Sequence, residues 1–265
     1  MNRVALAGLL LTAYAGTLHA GTVLDIVNRD LANKSESPAR TYAQAGKMRI
    51  DAGGPQDSFA IFRDETLYTF DPKKKTYVAM DRATIKQLAE QLNPALKMLQ
   101  EQMANMSPEQ RAQMERMLGT KLPGAKAPVE EVRKTTRTAT AAGHSCTYSE
   151  ILQDGVMQAE ACVVPAANLA GSQELYDAAL KVSALLRDMV NSLDLPLLQQ
   201  MADRQLENFD KLGGIPVVTR TFEDGQPVHE ATVKAIRNET LPDSLFEVPA
   251  GYKRQDMPSM AAPAR

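Results

Sequence analysis

Two cysteines are the residues of this chain most suited to forming a covalent link. Cys146 and Cys162 are its only cysteines, and the segment between them predicts two strands joined by a three-residue turn, Gln153-Asp154-Gly155. In that register Cys146 lies directly opposite Cys162, at the Cα separation that a disulfide needs. The sequence therefore favours a structural disulfide. A redox-active or metal-binding pair is the alternative, which the lack of a Cys-x-x-Cys spacing disfavours.

Methionines spaced three residues apart form a second group with possible chemistry. Met103 and Met106, and then Met114 and Met117, form two Met-x-x-Met pairs in a segment of helical periodicity. Thioether sulfurs at this spacing can share one Cu(I) ion, so these four residues are candidate copper ligands. Two other interpretations stay open: the methionines fill the apolar core, or they offer a compliant surface to apolar partners.

The residue types of hydrolytic catalysis are scarce. Residues 21–265 contain two histidines, His144 and His229, and the chain has neither a Gly-x-Ser-x-Gly nor a His-Glu-x-x-His motif. A glycine-rich phosphate-binding loop is also absent from the sequence. These patterns predict a protein that is not an enzyme and that needs no cofactor.

The first 20 residues have the pattern of a secretory signal peptide. Arg3 supplies a positive charge, a mostly apolar run extends from Val4 to Ala15, and Ala20 is the small residue that signal peptidase requires. Cleavage is predicted between Ala20 and Gly21. The apolar run is shorter than the roughly 20 residues that a transmembrane helix needs. We therefore expect a periplasmic or secreted protein that does not span a membrane.

Charge and composition exclude some partners. The chain has 265 residues, 44% of them hydrophobic, with 30 Lys and Arg against 32 Asp and Glu. This is a globular composition with a nearly neutral net charge. It gives no electrostatic reason to expect binding to nucleic acid.

Hydrophobic periodicity indicates the elements that must position these residues. Strands are predicted within 41–80, 129–164 and 216–236, and helices within 81–119, 172–191 and 194–211. Ser107 and Gln110 form a predicted capping box, and Pro94 predicts a kink or a new helix start. The order of strands and helices predicts an α+β fold in which helical insertions cover one face of a single antiparallel, curved sheet. The predicted organisation is a signal peptide at 1–20, one domain at 21–254 and a mobile tail at 255–265.

Several short motifs carry a family resemblance. These are GKMRID at 46–51, IFRD at 61–64, LYTFDP at 67–72 with Tyr77, GHSCTY at 143–148, EAC at 160–162, and LPDSLFEVPAGY at 241–252. Together they resemble a family of bacterial exported proteins that is described only as a domain of unknown function. The strand pattern of this family is similar to that of the LolA/LolB lipoprotein-carrier superfamily.

The resemblance implies a fold and a general type of function. The fold is an open half-barrel wrapped around helices that shield an apolar cradle, and carriers of that type bind acyl chains without covalent chemistry. We therefore expect a non-enzymatic carrier of an apolar ligand, which is an acyl chain, a lipid or the hydrophobic segment of an envelope protein. The alternatives are a protein-interaction module without a small ligand and a Cu(I)-binding protein.

Overall fold

A computed structural model describes residues 21–54, 57–107, 109–110, 113, 129–192 and 211–255. The predicted signal peptide, most of the segments 108–128 and 193–210, and the tail beyond residue 255 lie outside the described residues. Among the described residues, no helix is long and apolar enough to cross a membrane.

Twelve strands form one sheet. They are β1 (Gly21–Asp30), β2 (Ser35–Gln44), β3 (Lys47–Asp51), β4 (Phe59–Arg63), β5 (Thr66–Asp71), β6 (Thr76–Met80), β7 (Glu130–Ala141), β8 (His144–Gln153), β9 (Val156–Pro165), β10 (Gly214–Glu223), β11 (Gln226–Glu239) and β12 (Lys253–Arg254). Their spatial order is β12-β6-β5-β4-β3-β2-β1-β11-β10-β9-β8-β7. The long helices of the described part are α1 (Arg82–Ala104) and α2 (Ser172–Ser192). Short 3-10 helices lie at Ala166–Asn168 and Asp243–Phe246.

The prediction of a single antiparallel sheet in a LolA-like half-barrel with helical insertions is wrong. The sheet is mixed, because β12 lies parallel to β6, with Lys253 paired to Thr76 and Arg254 to Tyr77. The physical reason is the path of the chain end, which crosses the sheet after β11 and reaches the far edge in the same direction as β6. A two-residue strand has no periodicity that a sequence pattern could reveal. Strands also dominate the described residues more than expected, with two long helices against twelve strands.

Side-chain hydrogen bonds cap α1 and the segment that begins at Ser107. The Thr84 backbone N–H donates to Asp81 Oδ1 at 2.7 Å, which caps α1. Backbone hydrogen bonds and charge that favour its ionised form lower the pKa of Asp81. The predicted capping box is confirmed, since Ser107 N–H donates to Gln110 Oε1 at 2.9 Å and Gln110 N–H donates to Ser107 Oγ at 3.2 Å. Pro94 does not start a new helix, because α1 runs through this residue.

Apolar clusters lie on both faces of the sheet. Val23 and Leu24 are neighbours on β1, so their side chains point to opposite faces. Leu24 belongs to the cluster that includes the apolar sides of α1 and α2. Val23 belongs to a second cluster with Phe246 from the 3-10 helix near the C-terminus. The C-terminal segment thus covers one face while the two helices cover part of the other.

An ion-pair ladder links six strands on one face of the sheet. Its members are Glu36, Arg29, Glu230, Arg220, Glu160 and Arg137, joined in this order at 2.6, 3.1, 2.7, 2.9 and 2.5 Å. Glu160 is buried, with 4% of its surface exposed, and the guanidinium groups of Arg220 and Arg137 both contact its carboxylate. A buried charge needs such partners, because it loses its hydration on folding.

Two carboxyl groups of this face have lowered pKa values. The hydrogen bond from Arg237 is the largest influence on Asp25 and lowers its pKa, with Arg40 adding to the effect against the opposing influence of burial. Burial alone raises the pKa of Glu230, but hydrogen bonds and charge from Arg220 and other partners outweigh it, so the net shift is downward. Both groups therefore favour the charged form in the folded protein.

Acidification is expected to destabilise the fold through these carboxyl groups. A carboxyl whose pKa is lower in the folded state stabilises the protein above its unfolded pKa, about 4, and this contribution is lost as pH falls through the folded value. The urea concentration at the midpoint of unfolding should therefore decrease as the pH is lowered from about 5 to about 3. Glu230→Gln should start from a lower midpoint at neutral pH and lose less of it on acidification. Parallel pH profiles for the two proteins would contradict this prediction.

Candidate functional site

The candidate functional site is a cleft between α2 and two tight turns of the sheet. Its walls are the β2–β3 turn at Ala45 and Gly46, the β4–β5 turn, and the start of α1, and its volume is about 250 Å³. Phe62 and Leu185 line it as buried apolar residues, with 3% and 2% of their surfaces exposed. Ala184 contributes a small side chain on the exposed side of α2.

Ion pairs hold the elements around this cleft. Arg82 at the start of α1 approaches Asp188 of α2 at 3.2 Å and Glu65 of the β4–β5 turn at 3.7 Å. Lys47 contacts Asp243 at 3.0 Å. These pairs are largely exposed, so each contributes little to stability. Their main effect is to fix the relative positions of the cleft's charged groups.

A second, more open recess of about 460 Å³ adjoins the cleft at Lys181. Ala45, Gly46 and Lys181 line both spaces. Lys181 Nζ lies 2.5 Å from the position that a Cβ on residue 46 would occupy, and Gly46 has φ +72°. A side chain at position 46 would therefore strain the backbone and displace the ammonium group.

The arrangement is amphipathic. Phe62 and Leu185 provide an apolar floor, whereas the cleft edge carries both positive and negative side chains, including Lys47, Lys181 and Asp64. Apolar walls with a few polar groups at the edge are typical of sites that bind small apolar or amphiphilic molecules. Within the described part of the chain, no group of three or more His, Cys, Asp or Glu residues could hold a metal ion.

The predicted disulfide is confirmed, but the predicted pairing of the two strands that it joins is wrong. Cys146 and Cys162 are bonded with a Cα–Cα separation of 5.3 Å. Cys162 is paired with Tyr148, and the turn contains two residues with positive φ, Asp154 and Gly155, followed by a register shift in the ladder. Together these features move the pairing by two residues. A shift of two keeps each side chain on its predicted face, so the two sulfur atoms still meet.

The structure leaves the predicted copper site undecided. Met103 lies in the last turn of α1 and Met106 follows the helix, partly buried. The side chain of Met103, and Met114 and Met117 as a whole, lie outside the described residues. The Cu(I) hypothesis therefore stays a prediction.

The remaining sequence candidates lie away from the cleft. His144 begins β8 and His229 lies on β11, and neither lines the cleft. Of the predicted cleavage pair, Gly21 is the first residue of β1 and Ala20 lies outside the described residues.

Sequence reasoning did not identify the cleft residues as a site. Gly46 and Lys47 belong to the motif at 46–51, and Phe62 to the motif at 61–64, but both motifs were interpreted only as parts of strands and as marks of a family resemblance. Lys181 stands on a helix as one of many exposed lysines. No local pattern signals the cleft, because its residues come from elements that are up to about 140 positions apart and meet only in the tertiary structure.

Comparison with known proteins adds little about function. No family model matches the chain, and no curated protein matches it. The fold is similar to the crystal structure of an uncharacterised conserved protein from Thermus thermophilus, with 8% identity, a TM-score of 0.44 and 89% of each chain covered. It is also similar to PNGF-II, with 9% identity and a TM-score of 0.37, over 89% of this chain and 31% of that one. At such low similarity we transfer no property from either protein.

Proposed function

We propose that this chain is a non-enzymatic binding protein of the bacterial periplasm that carries an apolar ligand. The ligand is an acyl chain, a lipid or a hydrophobic protein segment, and its apolar part enters the cleft beside α2. The observation that carries the proposal is the apolar floor of the cleft, where Phe62 and Leu185 lie beneath charged groups at the edge. An amphiphile has the same division into an apolar body and a polar end.

The proposed location is supported by two features. Residues 1–20 have the signal-peptide pattern. The Cys146–Cys162 disulfide suits an oxidising compartment, and the bacterial periplasm is one. Whether the precursor is cleaved between Ala20 and Gly21 can be tested by the mass of the protein recovered from periplasm.

Native mass spectrometry is the first test of the ligand. The protein would be purified from periplasm without detergent, and bound molecules would be extracted with organic solvent and identified. A reproducible added mass that extracts as lipid supports the proposal. A bare chain that also fails to bind the neutral apolar probe N-phenyl-1-naphthylamine would contradict it.

Filling the cleft is expected to block binding. Ala184 is exposed on α2 and lines the cleft, so Ala184→Trp places an indole in the space without disturbing the buried core. Affinity for N-phenyl-1-naphthylamine should fall about tenfold or more, equivalent to at least about 1.4 kcal/mol of binding free energy. The measurement is a fluorescence titration of the wild type and the variant.

Gln87→Trp is the matched control. Gln87 is exposed on α1 and does not line the cleft, and the wild-type chain contains no Trp, so each variant carries one indole. The control should bind the probe as the wild type does. Equal affinities for all three proteins would show that the ligand does not occupy this cleft.

A further inference from the structure

A third space, separate from the cleft and from the recess that adjoins it at Lys181, lies on the sheet at the opposite ends of β1 and β2. Strand register places two rows of mostly polar side chains across β2, β1, β11 and β10, in that order. The first row is Ser37, Asn28, Ala231 and Thr219, and the second is Ser35, Asp30, His229 and Thr221. All eight residues line a recess of about 340 Å³, which we call the polar recess.

The polar recess is separate from the cleft beside α2. On β1, Asn28 and Asp30 alternate in phase with the core residues Leu24 and Ile26, so all four point to the same face of the sheet. Ser37 on β2 is eight residues from Ala45 of the cleft, which corresponds to roughly 25 Å along a strand. The face therefore changes from apolar to polar along the strands, and the inference does not depend on the proposed carrier function.

The uncharged groups of the polar recess have unused hydrogen-bonding capacity. Among the described residues, the side chains of Asn28, Ser37, Thr219 and Thr221 make no hydrogen bond to another protein group, and the same holds for Ser35; all five are at least partly accessible to a ligand. By contrast, the hydroxyl of Thr22 at the other end of β1 donates to the Gly171 carbonyl at 2.8 Å. Each hydroxyl can both donate and accept, and the Asn28 amide offers both functions as well.

The charged groups bordering the polar recess are largely occupied. The Asp30 carboxylate accepts hydrogen bonds from the Asn33 backbone N–H and side-chain amide, both at 2.8 Å. Arg29 pairs with Glu36 and Glu230 in the ion-pair ladder. The recess thus presents mainly neutral donors and acceptors to a ligand, with His229 beside them.

We propose that the polar recess binds a neutral, polyhydroxylated ligand, that is, a saccharide. Neighbouring strands are about 4.8 Å apart, and residues two positions apart on one strand are about 6.7 Å apart. Across four strands the array therefore spreads its hydroxyl and amide groups over about 14 Å by 7 Å, which is the size of a short oligosaccharide. The groups stand on paired strands, which hold them in fixed positions, so little ordering is needed on binding.

The test uses neutral saccharides as probes. Amide chemical shifts of the full mature chain would be followed by NMR during titration with maltotriose and with tri-N-acetylchitotriose at millimolar concentrations. Shifts concentrated in the eight residues of the polar recess, for either saccharide, are expected. The absence of such shifts with both saccharides would overturn the proposal. Inorganic phosphate that bound the same residues as tightly would also overturn it, because the ligand would then be recognised by charge.

A double variant and a control variant test whether the threonine hydroxyls of the polar recess bind the saccharide. Thr219→Val with Thr221→Val removes two hydroxyls but keeps β-branched residues that favour strands. Affinity for the responding saccharide should fall about tenfold, whereas Thr69→Val, an exposed control on β5 outside the recess, should leave it unchanged. Unchanged affinity in the double variant would contradict the proposal. Thr221→Val alone, at an exposed position, serves the same test if the double variant fails to fold.

Discussion

Replacing Phe246 with Ala is expected to lower the free energy of unfolding by about 3–5 kcal/mol. Phe246 has 0% of its surface exposed and is the largest of the fully buried residues in the described part of the chain. It packs in the cluster with Val23, Ile61 and Phe70, on the face that the C-terminal segment covers. Removing the ring therefore leaves a cavity between that segment and the sheet. Equilibrium unfolding in urea measures the effect.

The neighbouring Leu245→Ala is the control for this result. Leu245 lies in the same 3-10 helix but is only partly buried, so its truncation should cost clearly less than that of Phe246. A loss below about 1 kcal/mol for Phe246→Ala would contradict the packing described for this face. Such a result would mean that the C-terminal segment contributes little to the stability of the sheet.

Loss of the disulfide is expected to have an effect of similar size. The bond joins residues 16 positions apart, and closing a loop of that length contributes about 3 kcal/mol by restricting the unfolded chain. Cys146→Ser and Cys162→Ser should each lower the unfolding midpoint of the protein under oxidising conditions. The remaining cysteine is buried in both variants, and the new hydroxyl enters a largely apolar cluster, which adds to the loss.

Reduction distinguishes the cross-link from the packing of the two side chains. Wild-type protein unfolded in the presence of a reductant should approach the stability of Cys146→Ala with Cys162→Ala, which lacks the bond without adding a polar group. Equal stability of the oxidised wild type and this double variant would refute a stabilising role for the disulfide.

The sequence alone predicted elements that depend on neighbours along the chain. Helical periodicity placed α2 at nearly its observed bounds, and the capping box at Ser107 formed as expected. The β8–β9 hairpin and the disulfide between its strands were also predictable, because a hairpin is local, but the register of the two strands was not.

The first strand could not be predicted in the same way. β1 and the first half of β2 have no sequence-based prediction, because charged residues such as Asp25 and Arg29 interrupt the apolar pattern of β1. These charges are tolerated in a central strand only because Arg40, Arg237 and Glu230 on neighbouring strands pair with them. Such partners are distant in sequence and become visible only in the folded sheet.

What the sequence determined by itself was the local conformation of α2 and the β8–β9 hairpin, together with the partners of the disulfide. The tertiary structure decided the order of the strands, the parallel pairing of β12, the ion-pair ladder, the cleft at Lys181 and the polar recess at Asn28. The physical reason is the range of the interactions. Turns, caps and periodicity act over a few residues, whereas register across a sheet and the walls of a cleft depend on contacts between segments that no local pattern links.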